Sequence, residues 1–193
     1  VSDNLKELLK RADLLIEFTT PEATLAHARI AADSKVPMVI GTTGLTNEQF
    51  AQLKELARQI PIFWSPNMSI GVFIVRKTIH SIFQLLKRYR LEGAMRVSIS
   101  ETHHTQKKDA PSGTAKQLAQ DVQAASGKGP QEIPIDWKRE GQVVGLHTVQ
   151  FLFGPERISL EHEALDRRVF ASGALRVAVE FHRLIKKPGW YGM

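Results

Sequence analysis

The chain has 193 residues, of which 42% are hydrophobic and 24% are charged, a composition typical of one sizeable globular domain or two small ones. The lack of cysteine excludes disulfides, thiolate catalysis and cysteine-ligated metal sites. The net charge of +6 favours anionic partners, and because the basic residues are dispersed we expect a small anion rather than nucleic acid. Without a signal peptide or a membrane-length apolar run, we expect a cytoplasmic protein with no membrane partner.

Residues 12–64 predict alternating strands and helices. The short apolar runs ADLLIEFT, VPMVIGTTG and PIFW are typical of buried strands. The first intervening helix is expected to begin at Thr20-Pro21, and a capping box of Thr46 and Gln49 is expected at the start of the second. Parallel strands with right-handed crossovers follow from this order, so the region resembles half of a doubly wound, Rossmann-like sheet.

The second half of the chain predicts an α+β domain with an open mixed or largely antiparallel sheet. Residues 94–104 alternate between apolar and polar side chains, which is typical of a strand with one wetter face. Two further strands, near 143–153 and 156–163, are expected on either side of Gly154-Pro155. Helices are predicted at 71–90, 112–124 and 168–186.

Three loops are expected at the carboxyl ends of the predicted parallel strands, where ligands bind in open α/β sheets. Their small side chains, hydroxyls and amide let a ligand approach the backbone closely. Each loop taken alone is equally typical of helix caps and turns, but three loops at one sheet edge indicate a cleft. They are Phe18-Thr19-Thr20, Gly41-Thr42-Thr43-Gly44 and Ser65-Pro66-Asn67-Met68.

The segment ETHHTQKKDAPSGTA carries the densest chemistry. His103 and His104 are expected to point to opposite faces of a strand, with Lys107 on the loop beyond it. The helix start near Ser112 and Gly113 is expected to leave backbone amides open for a carboxylate or phosphate. A histidine and a lysine beside an anion pocket are suited to delivering a proton to an anionic substrate.

Other interpretations of this segment stay open on the residues alone. The histidine pair could be structural, the lysines could belong to a solvated loop, and PSGTA could be only a well-capped helix start. The histidines could also bind a metal with His147 or His162, but no third ligand lies at a convincing spacing, so we predict no metal.

The same segment resembles the signature of the dihydrodipicolinate reductase family. The family pattern runs Glu, any residue, His-His, two residues, Lys, one residue and Asp-Ala-Pro-Ser-Gly-Thr-Ala, and every fixed position is met here. The resemblance continues in order along nearly the whole chain, through EFTTPEATL, MVIGTTGL, FWSPNMSIGV, REGQVVGLHTVQF, ERISLEHEALDRRVFASGAL and PGWYGM.

The resemblance implies reduction of a cyclic unsaturated dicarboxylate to tetrahydrodipicolinate by hydride from NADPH or NADH, in the diaminopimelate route to lysine. By position, it implies that His103 and Lys107 donate the proton. It further implies substrate contacts at His104, Gly113 and Thr114, with Ser112 beside them, and cofactor contacts at Gly41, Thr42, Thr43, Ser65, Pro66, Asn67 and Met68.

The resemblance also implies two domains with different ligands, and a homotetramer. Residues 1–70, completed by residues 165–193, are expected to form the second half of a dinucleotide-binding domain. Residues 71–164 are expected to form the substrate-binding and oligomerisation domain, with the strands near 143–153 and 156–163 in the assembly.

Two departures from the family pattern are visible. The strand and Gly-rich turn with which family members begin are not found here, and Glu17 stands where Asp is usual. We therefore expect a fragment with an exposed edge at its first strand, and we keep as the alternative a truncated, non-catalytic module that binds the dicarboxylate or supports assembly.

Overall fold

The computed structural model describes residues 4–91 and 95–192, and these form two compact units. The first unit contains the residues up to Met68 together with those from Phe170 onward, and the second runs from Ser69 to Val169. The start of the strand predicted at residue 94 lies outside the described residues.

The first unit is built on a four-stranded parallel sheet in the order β1-β2-β3-β8. The central strand β2 is buried throughout, which explains its uninterrupted apolar sequence. The elements of this unit are α1 (Leu5–Leu9), β1 (Leu15–Glu17), α2 (Pro21–Asp33), β2 (Met38–Ile40), α3 (Asn47–Leu56), β3 (Pro61–Trp64), most of α6 (Arg168–Leu184) and β8 (Gly189–Gly192).

The helix starts predicted for this unit are confirmed. The Thr20 hydroxyl accepts the backbone N–H of Ala23, with Pro21 in the first turn. Thr46 and Gln49 form the reciprocal capping box. The strands are shorter than predicted, because the polar ends of the apolar runs leave the sheet and form the loops at its carboxyl edge.

The second unit is built on a four-stranded mixed sheet in the order β5-β4-β6-β7. Strand β4 pairs in parallel with β5 and antiparallel with β6, and β6 pairs antiparallel with β7. The predicted fold class, a partial Rossmann-like sheet followed by an α+β unit with an open mixed sheet, is confirmed. The elements of this unit are α4 (Ile70–Tyr89), β4 (Met95–His103), α5 (Gly113–Ser126), a 3₁₀ turn (Pro130–Glu132), β5 (Ile135–Arg139), β6 (Gly145–Phe153) and β7 (Glu156–Ala164).

The core of the second unit lies between the sheet and the helices α4 and α5. Along β4 every second residue is buried, and the buried face begins with the apolar residues Met95, Val97 and Ile99. The same alternation brings Glu101 and His103 to this buried face farther along the strand. The core packing of β4 therefore sets the position of its two polar residues.

Three elements were not predicted from the sequence. Helix α1 spans only five residues, and β8 contains two glycines among its four residues, which weakens any strand pattern. Strand β5 received no assignment from the sequence, because as an edge strand it has three exposed residues in a row and no apolar alternation. Within residues 4–91 and 95–192, no helix combines the length and apolar character needed to cross a bilayer.

The aromatic pair at the centre of the second unit gives a test of this core. Phe151 is fully buried, and its ring centroid lies 6.0 Å from that of Phe83. We expect Phe151→Ala to lower the free energy of unfolding by about 3–5 kcal/mol, since it leaves a cavity. Urea unfolding followed by circular dichroism measures this, with Leu165→Ala as the control, because Leu165 is 80% exposed. Equal losses in both variants would contradict the packing.

Candidate active site

A row of polar residues crosses the buried face of three adjacent strands in the second unit. In the sheet register Glu101 on β4 lies opposite His147 on β6, and His147 lies opposite His162 on β7. The ring of His103, two residues beyond Glu101, is 4.9 Å from the ring of His147, which is 6.4 Å from that of His162. The sheet register therefore brings one carboxylate and three imidazoles together on this face, with Glu101, His103 and His147 buried and His162 half-buried.

The Glu101 side chain has no exposed surface and is the centre of this group. One of its oxygens accepts the Ser112 N–H at 2.9 Å and an Arg139 guanidinium N–H at 3.2 Å. The other lies 2.9 Å from His103 Nδ1 and 3.7 Å from His147 Nε2. Burial alone would raise the pKa of this carboxyl, but the Ser112 hydrogen bonds, His103 and Arg139 hold the pKa below its usual range. Glu101 is therefore an anion at neutral pH.

His103 lies between a carboxylate and two cations. Its Nδ1 lies 2.9 Å from a Glu101 oxygen, but the geometry is not that of a hydrogen bond, so the contact is electrostatic. Burial lowers the pKa of His103, and Lys107 and Arg139 lower it further, whereas Glu101 and Asp109 oppose the shift. An imidazolium in these surroundings releases its proton more readily than one in water, which suits a general acid.

His147 is a neutral histidine that supports the start of α5. Burial, followed by the proximity of His103, lowers its pKa to about 4. The Ser112 hydroxyl accepts the Ala115 N–H as the cap of α5 and lies 3.3 Å from His147 Nε2. Since the hydroxyl oxygen accepts at the cap, its proton is available to Nε2, which as part of a neutral ring can accept it.

The loop between β4 and α5 holds the other predicted substrate residues. His104 is half-buried, and its backbone N–H donates to the carbonyl of Val143 at 2.7 Å. The ammonium of Lys107 pairs with the carboxylate of Asp109 at 2.8 Å. The hydrogen bond from Lys107, with a smaller contribution from the Gly113 backbone, lowers the pKa of the Asp109 carboxyl. The loop therefore presents a cation that is already paired with a carboxylate.

The prediction that the backbone amides at the start of α5 are open was wrong for Ser112, whose N–H donates to the buried carboxylate of Glu101. The space beside the Gly113 Cα is open, because a Cβ added there would meet no atom within 4 Å. Thr114, the last predicted substrate residue, is half-buried in the first turn of the helix.

Glu101 and Arg139 could not be given a role from the sequence alone. Both had a visible signal, because Glu101 is a fixed position of the signature and Arg139 begins the matching stretch REGQVV. Arg139 lies opposite His103 in the register of β4 and β5, an edge strand that was not predicted. Without that strand nothing connected its guanidinium to the signature segment.

Glu101, His103 and His147 each offer one potential metal-ligand atom, and these atoms lie within 4.8 Å of one another. The sequence predicted no metal, having found no third ligand, and the structure supplies that third group as Glu101. The guanidinium of Arg139 already forms an ion pair with this carboxylate, and its positive charge disfavours a second cation at the same position. We therefore interpret the group as an electrostatic network centred on the Glu101 carboxylate.

In the first unit, the three predicted ligand loops begin at the same edge of the parallel sheet. The register aligns Glu17, Ile40 and Trp64, so β1, β2 and β3 end level with one another. The carboxyl edge of such a sheet is where dinucleotides bind in this class of fold.

The loop after β2 is shaped by internal packing. Thr42 is buried, and its hydroxyl bonds the hydroxyl of Thr24 at 2.7 Å, while its carbonyl accepts from Trp64 Nε1 at 3.1 Å. A Cβ at Gly41 would lie 2.1 Å from the Phe18 ring, so a larger residue there would have to displace this exposed ring. Thr43 is exposed, so within this loop its hydroxyl is free to reach a ligand from the surface.

The loop after β3 is held in the same way. The Ser65 hydroxyl donates to the Asn67 carbonyl at 2.6 Å, and Met68 is buried in the core of the first unit. Pro66 and Asn67 are half-buried and present partial surface. Small groups, an exposed hydroxyl and accessible backbone at a sheet's carboxyl edge leave room for a dinucleotide to approach the chain closely.

Glu17, the departure from the family pattern, closes the loop after β1. Its buried carboxylate accepts the Thr19 N–H at 2.9 Å and lies 2.6 Å from Nδ1 of His27 on α2. The longer side chain of Glu17 thus links the end of β1 to helix α2.

Comparison with known proteins places the chain in a family. Residues 1–68 match the model of the dihydrodipicolinate reductase N-terminus, and residues 71–193 match that of its C-terminus. The chain belongs to the dihydrodipicolinate reductase family. The chain is 44% identical over 194 residues to the 4-hydroxy-tetrahydrodipicolinate reductase of Nitratidesulfovibrio vulgaris strain DP4, with 91% of this chain and 72% of that protein covered. It is 39% identical over 209 residues to that of Archaeoglobus fulgidus, with 100% of this chain and 78% of that protein covered.

Solved structures agree with the family assignment. A dipicolinate-bound dihydrodipicolinate reductase from Paenisporosarcina sp. TG-14 superimposes with a TM-score of 0.79 at 27% identity, covering 98% of this chain and 76% of that one. A dehydrogenase from Clostridium difficile has a TM-score of 0.54 at 11% identity, covering 98% of this chain and 76% of that one, and shares the fold alone.

The depressed pKa of His147 predicts how this family member responds to acid. Because the pKa of His147 in the folded state is about 4, below the ordinary value of about 6.5, protonation of this ring favours unfolding. The stability due to the neutral ring is complete above about pH 6.5 and is lost as the pH falls toward about 4. An NMR titration should find His147 neutral at pH 5.5 in the folded protein but largely protonated in urea. Titration near 6.5 in the folded protein would contradict its burial.

Proposed function

We propose that the buried network of the second unit is the proton-delivering and dicarboxylate-binding part of a 4-hydroxy-tetrahydrodipicolinate reductase site. The relatives bear that name, and the activity is that of an oxidoreductase of diaminopimelate and lysine biosynthesis that uses a nicotinamide cofactor. The observation that carries the proposal is His103, a buried imidazole 2.9 Å from a carboxylate and close to the cation of Lys107.

Substrate binding is proposed at the loop and the start of α5. Asp109 pairs with Lys107 at 2.8 Å on the loop that leads into α5, so its carboxylate marks a place where an anion meets a fixed cation. A carboxylate of the substrate would take the place of Asp109, with Thr114 and Ser112 in the adjoining helix turn and His104 on the loop. The dipicolinate bound by the Paenisporosarcina protein is a cyclic dicarboxylate of the same kind.

Proton transfer is proposed for His103 and Lys107. Bound NADPH or NADH supplies the hydride, which adds two electrons and one hydrogen to a ring carbon of the substrate. His103 in its protonated form then gives a proton to the neighbouring carbon and becomes neutral, which completes reduction of the double bond. Lys107 stabilises the negative charge on the substrate and assists the transfer.

Cofactor binding is proposed at the carboxyl edge of the sheet in the first unit. Thr43, Pro66 and Asn67 have exposed or half-buried side chains, whereas Gly41, Thr42, Ser65 and Met68 would act through backbone and shape. The first unit is thus assigned the dinucleotide and the second the dicarboxylate. These residues do not distinguish NADPH from NADH.

A homotetramer formed through the second unit stays a prediction, as does a cytoplasmic location. Strand β7 supports the assembly, because it is an edge of the sheet and its first four residues are all exposed. The alternative of a non-catalytic module is not favoured, because the similarity to reductases runs through both family models.

The activity is tested by following NADPH and NADH oxidation with the purified protein. Oxidation is expected only when the substrate, which is the product of the preceding dehydratase, is supplied. A folded preparation that shows no turnover above background with either cofactor would contradict the proposal.

Removal of the proton-delivering groups should separate chemistry from cofactor binding. We expect His103→Ala and Lys107→Ala to lower kcat by about 10²–10⁴-fold, as for loss of a general acid, while cofactor affinity changes by no more than about twofold. Steady-state kinetics and a cofactor titration measure the two effects. Lys108→Ala is the matched control, since Lys108 is the exposed neighbour of Lys107. Equal losses of kcat and cofactor affinity would indicate a structural role.

A further inference from the structure

Glu101 is a buried anion for which the proposed reaction has no direct use. Its side chain is fully buried, and moving a carboxylate out of water is costly unless partners compensate it. An amide or an apolar side chain at this position would avoid that cost. The carboxylate therefore calls for a physical explanation.

The two oxygens of Glu101 contact two different parts of the site. The first accepts from the N–H of Ser112, the cap of α5, where the substrate carboxylate is proposed to bind. The second lies 2.9 Å from Nδ1 of His103, the proposed acid. One rigid side chain on β4 thus spans from the proton donor to the anion site.

Arg139 extends this link to the loop that carries Lys107. Its guanidinium donates to Glu101 at 3.2 Å, to the carbonyl of Lys107 at 3.3 Å and to the carbonyl of Asp109. The Arg139 side chain is 13% exposed and is fixed on strand β5 beside β4. The loop conformation therefore depends on an ion pair whose carboxylate also faces His103.

We propose that Glu101, together with Arg139, is a positioning residue pair that holds His103, the Lys107 loop and the start of α5 in one fixed arrangement. This inference rests on the proposed function of the site. It adds a role for two residues that do not contact the reacting atoms. Electrostatically, Glu101 favours the protonated form of His103 and so offsets part of the effect of burial and of the nearby cations.

The charges around His103 come from every element packed against it. Glu101 lies on β4 itself, Arg139 on β5, neutral His147 on β6, and Lys107 and Asp109 on the loop. Both cations and burial oppose protonation of His103, and Glu101 is the fully buried anion at contact distance. Removing its charge should make His103 harder to protonate.

The decisive variant is Glu101→Gln, which keeps the shape and one carbonyl oxygen for Ser112 and Arg139 but removes the charge. We expect kcat to fall by about 10- to 100-fold, which is part of the contribution of a general acid. We also expect the limb on which kcat declines with rising pH to move to lower pH, since the acid loses its proton earlier. Asp136→Asn is the matched control, a carboxylate-to-amide change at an exposed position of β5, and should leave both quantities unchanged.

A second measurement does not depend on turnover. NMR titration of the His103 ring should give a lower pKa in Glu101→Gln than in the unchanged protein. Should Glu101→Gln not fold, Glu101→Asp, which withdraws the charge by one methylene, should shift the limb and the ring titration in the same direction by a smaller amount. Arg139→Gln should weaken binding of pyridine-2,6-dicarboxylate by about tenfold, as expected when one charged hydrogen-bonded anchor is lost.

The outcomes separate this inference from the proposed function. If the wild-type protein is inactive but Glu101→Gln still lowers the pKa of His103, the proposed function is contradicted and the positioning role stands. A loss of kcat in Glu101→Gln with an unmoved pH limb and an unmoved His103 titration would overturn the inference, and so would unchanged activity.

Discussion

The buried carboxylate of Glu101 is the constraint on which the rest of the site depends. A charge without solvent must be matched by fixed donors, and here the donors are the N–H of Ser112 and the guanidinium of Arg139. Each donor belongs to a different element, so satisfying one carboxylate fixes the start of α5 and the loop before it. The same carboxylate then sets the electrostatic environment of His103.

The sheet of the second unit explains why such an arrangement is possible. The alternation of β4 that buries Met95, Val97 and Ile99 continues to Glu101 and His103. The antiparallel partner β6 contributes His147 directly opposite Glu101. Polar residues are thus placed in the interior by the same register that packs the core, and the burial that lowers the pKa of His103 and His147 follows from that register.

The first unit uses its polar residues differently. Thr42, Ser65 and Glu17 form hydrogen bonds within the loops at the sheet edge, so these side chains shape the loops. A dinucleotide at this edge would meet mainly backbone and a few exposed groups such as Thr43. This agrees with small residues being used where a ligand approaches the chain closely.

Much of this organisation could be predicted from local patterns. Apolar runs, caps such as Thr20 and Thr46, and the alternation along β4 are signals carried by neighbouring residues, and the structure has them. Strand β5 and strand β8 could not be predicted, because their pairing partners lie far away in the chain, the middle of β5 is exposed, and β8 begins and ends with glycine. The signature alone led to the proposed roles of His103 and Lys107, whereas the proposed role of Arg139 depends on a strand pairing between distant segments. The expectation of open amides at the start of α5 failed at Ser112, because the buried carboxylate of Glu101 accepts its N–H.

A structure of the protein with pyridine-2,6-dicarboxylate would test this account most directly. One carboxylate of the ligand should replace that of Asp109 beside Lys107 and the Gly113 backbone, while the contacts of Glu101 with Arg139, Ser112 and His103 stay in place. A ligand bound away from the start of α5, or a bound state in which Glu101 separates from Arg139 and His103, would contradict it.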